Sequence, residues 1–201
     1  MKRLYRIAIV LGSFTLTLPC WAQQIDVAFA GSSIASSSAS FVGNPATYVP
    51  SMKGGTYLGF NGDVLFHGNL GVQAEVNWRA SQGDYAGLGV GYRPIFYDFN
   101  AIYAKRFTKR VGAEVLGGIG GESLRFYTGQ TNCDFYGNCS NYVSSNHFLV
   151  DFGGGVRFYA WHNLFVRPEM RLYIVHNNQE FSSDYQVRYG ASLGYTFGGR
   201  H

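Results

Sequence analysis

The sequence predicts an all-β protein, an eight-stranded antiparallel up-and-down transmembrane barrel with short periplasmic turns and long extracellular loops. Three observations predict it. Several segments alternate apolar and polar residues with a period of two, the pattern of a strand with two unlike faces. The connections between those segments run long, short, long, short, long, short, long. An export segment opens the chain and no run of 18 apolar residues follows it, so only a closed barrel could cross a membrane.

The first residues are read as a cleaved signal peptide, residues 1–22. Lys2, Arg3 and Arg6 precede an uncharged, mostly apolar run, Ile7 to Leu18. Pro19 breaks the run, and Cys20-Trp21-Ala22 places small residues around a cut after Ala22. The barrel domain is then residues 23–201. Losing the three leading cations takes the formal charge from +4 to +1, which removes the main argument for a nucleic-acid partner. Of all residues 14% are charged and 17% aromatic, and 27 are Gly, a profile of strands and tight turns.

The first expected strand is short, with Ile25, Val27 and Phe29 opposite Asp26, Ala28 and Ala30. A serine-rich stretch from Ser32 to Ser40 opens an irregular connection that lasts to about Gly54. The second strand, Thr56 to Phe66, sets Leu58, Phe60, Val64 and Phe66 against Tyr57, Asn61 and Asp63. His67-Gly68-Asn69 is a tight hairpin turn. The third sets Val72, Ala74, Val76 and Trp78 against Gln73, Glu75, Asn77 and Arg79. A Gly-rich loop, Ala80 to Arg93, follows.

The fourth strand, Pro94 to Phe107, ends in Lys105 on the apolar face, where its stem can snorkel to an interface. Thr108-Lys109-Arg110 turns into the fifth, which carries Val111, Ala113, Val115 and Ile119 opposite Glu114 and Glu122. A loop is expected from Ser123 to Asn146. The sixth strand sets Phe148, Val150, Phe152, Val156 and Phe158 against Asp151 and Arg157, and Ala160 to Asn163 turns. The seventh sets Val166, Met170, Leu172 and Ile174 against Arg167, Glu169, Arg171 and Tyr173. Pro168 predicts a bulge or a missing bond there, because proline has no N–H.

After the loop His176 to Asp184, the eighth strand splits by parity without exception. Val187, Tyr189, Ala191, Leu193, Tyr195 and Phe197 form one face, and Gln186, Arg188, Gly190, Ser192, Gly194 and Thr196 the other. Phe66, Phe107, Phe158, Trp161, Tyr195 and Phe197 all fall near the short turns, as an interfacial girdle would.

Inward-facing charges are then Asp26, Asp63, Glu75, Asp98, Glu114, Glu122, Asp151 and Glu169 against Arg79, Arg106, Arg157, Arg167, Arg171 and Arg188. An eight-stranded interior is only wide enough for side chains to fill it, and buried charges need partners. The expectation is a closed polar lumen network built from Asp63, Glu75, Arg79, Asp98, Glu114, Asp151, Arg157, Arg167, Glu169, Arg171 and Arg188. A small pore is the competing reading. Cys133 and Cys139 remain after export and are expected to pair in an oxidising compartment.

With signal peptide, strand count, face pattern and girdle in place, the mature chain resembles the small eight-stranded outer-membrane barrels, the OmpA-type transmembrane domain with OmpX-like and opacity-type proteins. The resemblance implies an outer-membrane protein that is structural, or adhesive through its extracellular loops. Two departures stand out: the chain continues through Gly198-Gly199-Arg200-His201, and it stops before any peptidoglycan-binding domain, so cell-wall tethering is not implied. Some barrels of this type remove acyl chains from lipid A with a His-x-Ser pair and a Glu. Here His176 is followed two residues on by Asn178, which cannot be a nucleophile, although Ser182, Ser183, Glu180 and Asp184 are close in sequence.

Gly87-Leu88-Gly89-Val90-Gly91 is no phosphate loop, because Pro94 and a strand follow where a helix is needed. The histidines at 67, 147, 162, 176 and 201 are scattered over both ends and give no metal site. The sequence thus predicts a non-enzymatic monomer without cofactor. Its expected partners are outer-membrane lipid and lipopolysaccharide, with a surface ligand at the loops left open.

Overall fold

The computed structural model describes residues 24–36, 50–52, 54–66, 69–85, 87–133, 137 and 139–198. The expected signal peptide lies outside the described residues. Alternating residues from Gln24 onward build nine strands: β1 (Gln24–Ser36), β2 (Tyr57–Leu65), β3 (Leu70–Arg79), β4 (Gly83–Tyr85), β5 (Val90–Arg106), β6 (Val111–Cys133), β7 (Cys139–Trp161), β8 (Leu164–Val175) and β9 (Tyr185–Phe197). All pairings are antiparallel, in the order β3-β2-β1-β9-β8-β7-β6-β5, and β3 pairs back onto β5. Eight strands therefore close a barrel, and the three-residue β4 rides on the edge of β5 beyond the closure.

Parity decides the faces as expected. On β9, Tyr189, Leu193, Tyr195 and Phe197 are exposed while Gln186, Arg188, Ser192 and Thr196 are buried. The girdle aromatics at the turn end (Phe66, Phe107, Phe158, Trp161, Tyr195 and Phe197) all point outward, and the Tyr195 and Phe197 rings lie 4.8 Å apart. An apolar band this continuous around a molecule is a membrane- or partner-facing surface.

The turns at that end are tight. Phe66 N–H donates to the Leu70 carbonyl at 2.7 Å and Phe107 N–H to Val111 at 2.9 Å, while β7 and β8 are joined by two residues, His162 and Asn163. Part of the predicted turn His67-Gly68-Asn69 lies outside the described residues. Asn69 is described and takes a φ of 72°, which asparagine tolerates better than most residues.

Three expectations need correction. The first strand runs to Ser36 instead of stopping near Ala30, because β9 offers partners along its whole length, up to Ser36 opposite Gln186. The Gly-rich stretch 80–93 contains β4 and the start of β5. The segment Ser123 to Asn146, expected to be a loop, is mostly strand: β6 and β7 continue as a two-stranded extension to Cys133 and Cys139. Aromatic and β-branched residues such as Phe126, Tyr127, Tyr142 and Val143 carry the pairing that far.

Pro168 acts as anticipated. The β7–β8 register is unshifted across it, but the pairs Val156–Pro168 and Arg157–Arg167 drop out between Gly155–Glu169 and Phe158–Val166. Pro168 still pairs with Ala191 in register on β9.

Candidate functional site

The inward side chains stack in three layers. At the turn end lies an apolar floor of Leu65, Ile102, Ala104 and Leu116 beside Ala28, Tyr159 and Phe165. Arg106, expected among the inward charges, caps this floor, with its guanidinium 3.8 Å from the Tyr159 ring centre.

Above the floor the lumen is ionic. Arg157 on β7 bonds Asp26 on β1, Asp63 on β2 (2.7 Å) and Glu114 on β6. Arg167 on β8 reaches Glu114 at 2.9 Å, Glu169 at 3.0 Å and Asp63 at 3.2 Å. Arg171 bonds Glu75 on β3 and Asp98 on β5 (3.2 Å), and faces the Asp151 carboxylate on β7 as an ion pair at 3.6 Å. Arg188 on β9 joins Glu75 to Glu169 (2.9 Å).

Asp63 and Glu114 link Arg157 to Arg167, Glu169 links Arg167 to Arg188, and Glu75 links Arg188 to Arg171. The four guanidiniums thus form one network, all of it buried. Neutral amides fill the gaps: Gln73 donates to Asp63 at 2.7 Å and Asn100 to Asp98 at 2.6 Å. The arginine stems need room, and glycines on β7 supply it. A Cβ on Gly153 would stand 2.7 Å from Arg171 Cγ, and one on Gly155 would stand 3.0 Å from Arg167 Cγ.

Ten of the eleven residues expected in the polar network come together here. Arg79 stands apart. It sits higher, 5.0 Å from the ring centre of Tyr92, and among the described residues it pairs with no carboxylate. Its position at the last residue of β3 puts it beyond the acids' level.

The top layer is apolar. Ile34, Tyr57, Tyr92, Phe96, Leu124, Leu149, Tyr173 and Val175 converge from the walls, and Phe96 stacks flat on Tyr173 with ring centres 5.1 Å apart. Two residues from the connections, Met52 and Phe181, are buried among them. Tyr85 of β4 packs edge-on against Phe181, Tyr92 and Phe126, and donates its hydroxyl to the Glu180 carbonyl at 2.7 Å. Ser182 N–H donates to the Pro50 carbonyl at 3.0 Å. Burial first, and then the Glu180 carboxylate, push the Tyr85 phenol above its usual value, so it stays a donor. This lid was not read from the sequence. The available signal was Phe181, the one large apolar residue in the polar connection 176–184; Met52 shares its connection with Phe41, Val42, Tyr48 and Val49 and was not singled out by the sequence.

Beside the lid, Nε2 of His147 lies 3.0 Å from Ser145 Oγ and 3.0 Å from Glu180 Oε2. A Ser-His-acid relay needs hydroxyl and acid on opposite ring nitrogens, and here both meet the same one. Ser145 and His147 also share parity with the buried Leu149 and Asp151, which turns them toward the lumen and away from lipid. The arrangement ties the β8–β9 connection to β7. His176, the histidine singled out from the sequence, is exposed, and Glu180 is engaged by His147 instead. Ser183 Oγ accepts from Tyr185 N–H at 3.1 Å. At the end of the β6–β7 extension Cys133 and Cys139 face each other, with Cα atoms 4.0 Å apart.

No protein-family model and no curated protein sequence matches the chain. Solved structures do match. The attachment invasion locus protein Ail of Yersinia pestis aligns with a TM-score of 0.52 at 14% identity, over 87% of this chain and 97% of that one. A second Ail structure, at TM-score 0.51, is in complex with the heparin analogue sucrose octasulfate. Neisserial surface protein A aligns at 0.53 and 10% identity, over 87% and 96% of the two chains. The N-terminal β-barrel domain of Pseudomonas aeruginosa OprF aligns at 0.51 and 13% identity, over 88% and 99%. At such identities the likeness is one of fold: this chain has the architecture of the small eight-stranded outer-membrane barrels.

Proposed function

We propose that the protein is a non-enzymatic outer-membrane barrel with a closed lumen, structural in its wall and adhesive through the β6–β7 extension. The observation that carries the closed lumen is the stack of three filled layers, with the ionic one spanning the bore from β1, β2 and β3 to β7, β8 and β9. Four guanidiniums held by buried carboxylates are a cross-brace, and an apolar lid above them leaves little room for hydrated ions. Planar-bilayer recording tests this: no stable ohmic conductance is expected. A unitary current abolished by Arg171→Ala would overturn it.

The support for recognition is the extension itself. Its strands outrun their neighbours, and it exposes Ser140, Asn141, Val143 and Ser144, with Tyr127 and Tyr142 paired across it at 6.1 Å. Tyrosine with small polar residues makes adaptable contact surfaces. A Cys133–Cys139 bridge would pin the tip by about 2 kcal/mol. Non-reducing mass mapping should find the bridge, and cell binding should fall when residues 130–141 are deleted; unchanged binding leaves the barrel purely structural. Lipid A mass spectra should be the same with and without the protein, and a lost acyl chain would restore the hydrolase reading.

A further inference from the structure

The β5–β6 register sets Arg93 directly opposite Arg125. Both belong to the outward face, because their chain neighbours Tyr92, Pro94 and Leu124 are buried inward. Like charges directly opposite on a sheet repel. Among the described residues neither arginine pairs with a carboxylate: the ion pairs belong to His147, Arg157, Arg167, Arg171 and Arg188. Arg93 donates once, to the Ala80 carbonyl at 3.1 Å, and its Nε is screened from water without an acceptor. The Arg125 guanidinium lies 4.9 Å from the centre of the Tyr142 ring.

Their height along the barrel is informative. Lys105 lies on the same face of β5 at the girdle end, twelve residues from Arg93. At about 3.3 Å per residue and a tilt of about 40°, that is about 30 Å along the membrane normal, against an apolar band of about 25 Å. With Lys105 at one interface, the two arginines stand in the headgroup zone of the other.

The surface chemistry changes at the same height. Outward residues below are Tyr97, Gly121 and Phe148. Next comes the pair Ser123–Asn146, and then the row Arg93, Arg125, Ser144. Two forked cations suit the oxygens of a phosphate, which would also relieve their repulsion. Hydroxyls, an amide and a tyrosine ring around them suit a sugar.

We infer that Arg93 and Arg125 bind the phosphate of a phosphorylated glycolipid of the lipid A class, with Ser123, Ser144, Asn146 and Tyr142 beside its sugar. The inference rests on the outer-membrane reading and names the lipid face where outer-leaflet glycolipid docks. The test is native mass spectrometry of the folded mature protein in neutral detergent, titrated with bisphosphorylated lipid A, phosphate-free lipid A and phosphatidylglycerol.

The double variant Arg93→Gln/Arg125→Gln should bind bisphosphorylated lipid A at least tenfold more weakly and phosphate-free lipid A as the parent does. Heat-modifiable mobility checks that each variant is folded. The single variant Arg125→Gln should match or exceed the parent's urea midpoint without glycolipid and fall below it with glycolipid present. Equal affinity of parent and double variant overturns the inference, as does equal binding of phosphatidylglycerol. Displacement by millimolar inorganic phosphate would mark a plain anion site and overturn it too. Failure of the outer-membrane reading would appear separately, as absence of the protein from outer-membrane fractions.

Discussion

Replacing Arg157 by methionine tests the cross-brace where it is densest. Arg157 is buried and holds three carboxylates from three other strands: Asp26, Asp63 and Glu114. Methionine fills most of the volume and makes none of these bonds. Asp63 and Glu114 keep Arg167 as a partner, but Arg157 is the one guanidinium bonded to Asp26 among the described residues. Gln24 also donates to Asp26, at 2.9 Å, which offsets only part of the loss. Breaking a buried pair and stranding its partner costs about 3–5 kcal/mol. With one acid fully stranded and two partly so, the expected loss is about 4 kcal/mol, close to a thousandfold in the folding equilibrium.

The assay is urea-driven unfolding in lipid vesicles, read by heat-modifiable mobility and tryptophan fluorescence. Adding Asp26→Asn to Arg157→Met removes the stranded charge, so the double variant should recover about 1–2 kcal/mol of the single loss. A single variant within about 0.5 kcal/mol of the parent, or a double variant whose losses simply add, would refute the reasoning.

Leu193→Arg, on the outward face of β9, should cost about 2–4 kcal/mol in the same assay, and Leu193→Phe should be silent; equal effects would mean the faces are misassigned. Ser192→Leu should also destabilise, because Arg167 Nε donates to Ser192 Oγ at 3.0 Å and would lose that bond inside the lumen, keeping only its ion pair with Glu169. Tyr85→Phe should cost about 1 kcal/mol by removing the hydroxyl bond that ties β4 to the 176–184 connection. Because the folded protein raises the Tyr85 phenol, its contribution is complete below the unfolded value of about 10 and declines only as pH rises past it. The difference between Tyr85→Phe and parent should therefore be constant from about pH 5 to 9, and a titration within that window would exclude a neutral hydroxyl.

Period-two alternation carried most of the fold, since hydrocarbon outside and a crowded polar lumen inside leave each strand residue a choice of two environments. The ionic residues were legible for the same reason: Glu75, Asp98, Arg171 and Arg188 share the inward parity of clean strands. Arg79 was not separable from them, because parity gives a face and says nothing of height. The lid was hidden because Met52 and Phe181 lie in connections without periodicity, where burial depends on what folds over them. Arg93 and Arg125 escaped notice because their segments read as loops, and a residue in a presumed loop has no face. The pairing of Ser145, His147 and Glu180 depends on a contact between β7 and the β8–β9 connection that no local pattern encodes.

The cross-bracing has a consequence for how the molecule is made. The bond from Arg157 to Asp26 spans 131 residues of chain, and that from Arg188 to Glu75 spans 113. Neither can form between neighbouring strands during stepwise insertion, because the partners belong to opposite walls. Pairs on the same or neighbouring strands, such as Arg157–Glu114 and Arg188–Glu169, need no closure. Until the first and last strands meet, the remaining charges face an open trough and must stay hydrated. Sealing of the β1–β9 seam, water expulsion and the pairing of charges across the bore therefore belong to one event. A half-built wall has no stable resting place in the bilayer, and the finished cylinder has no gradual way to come apart.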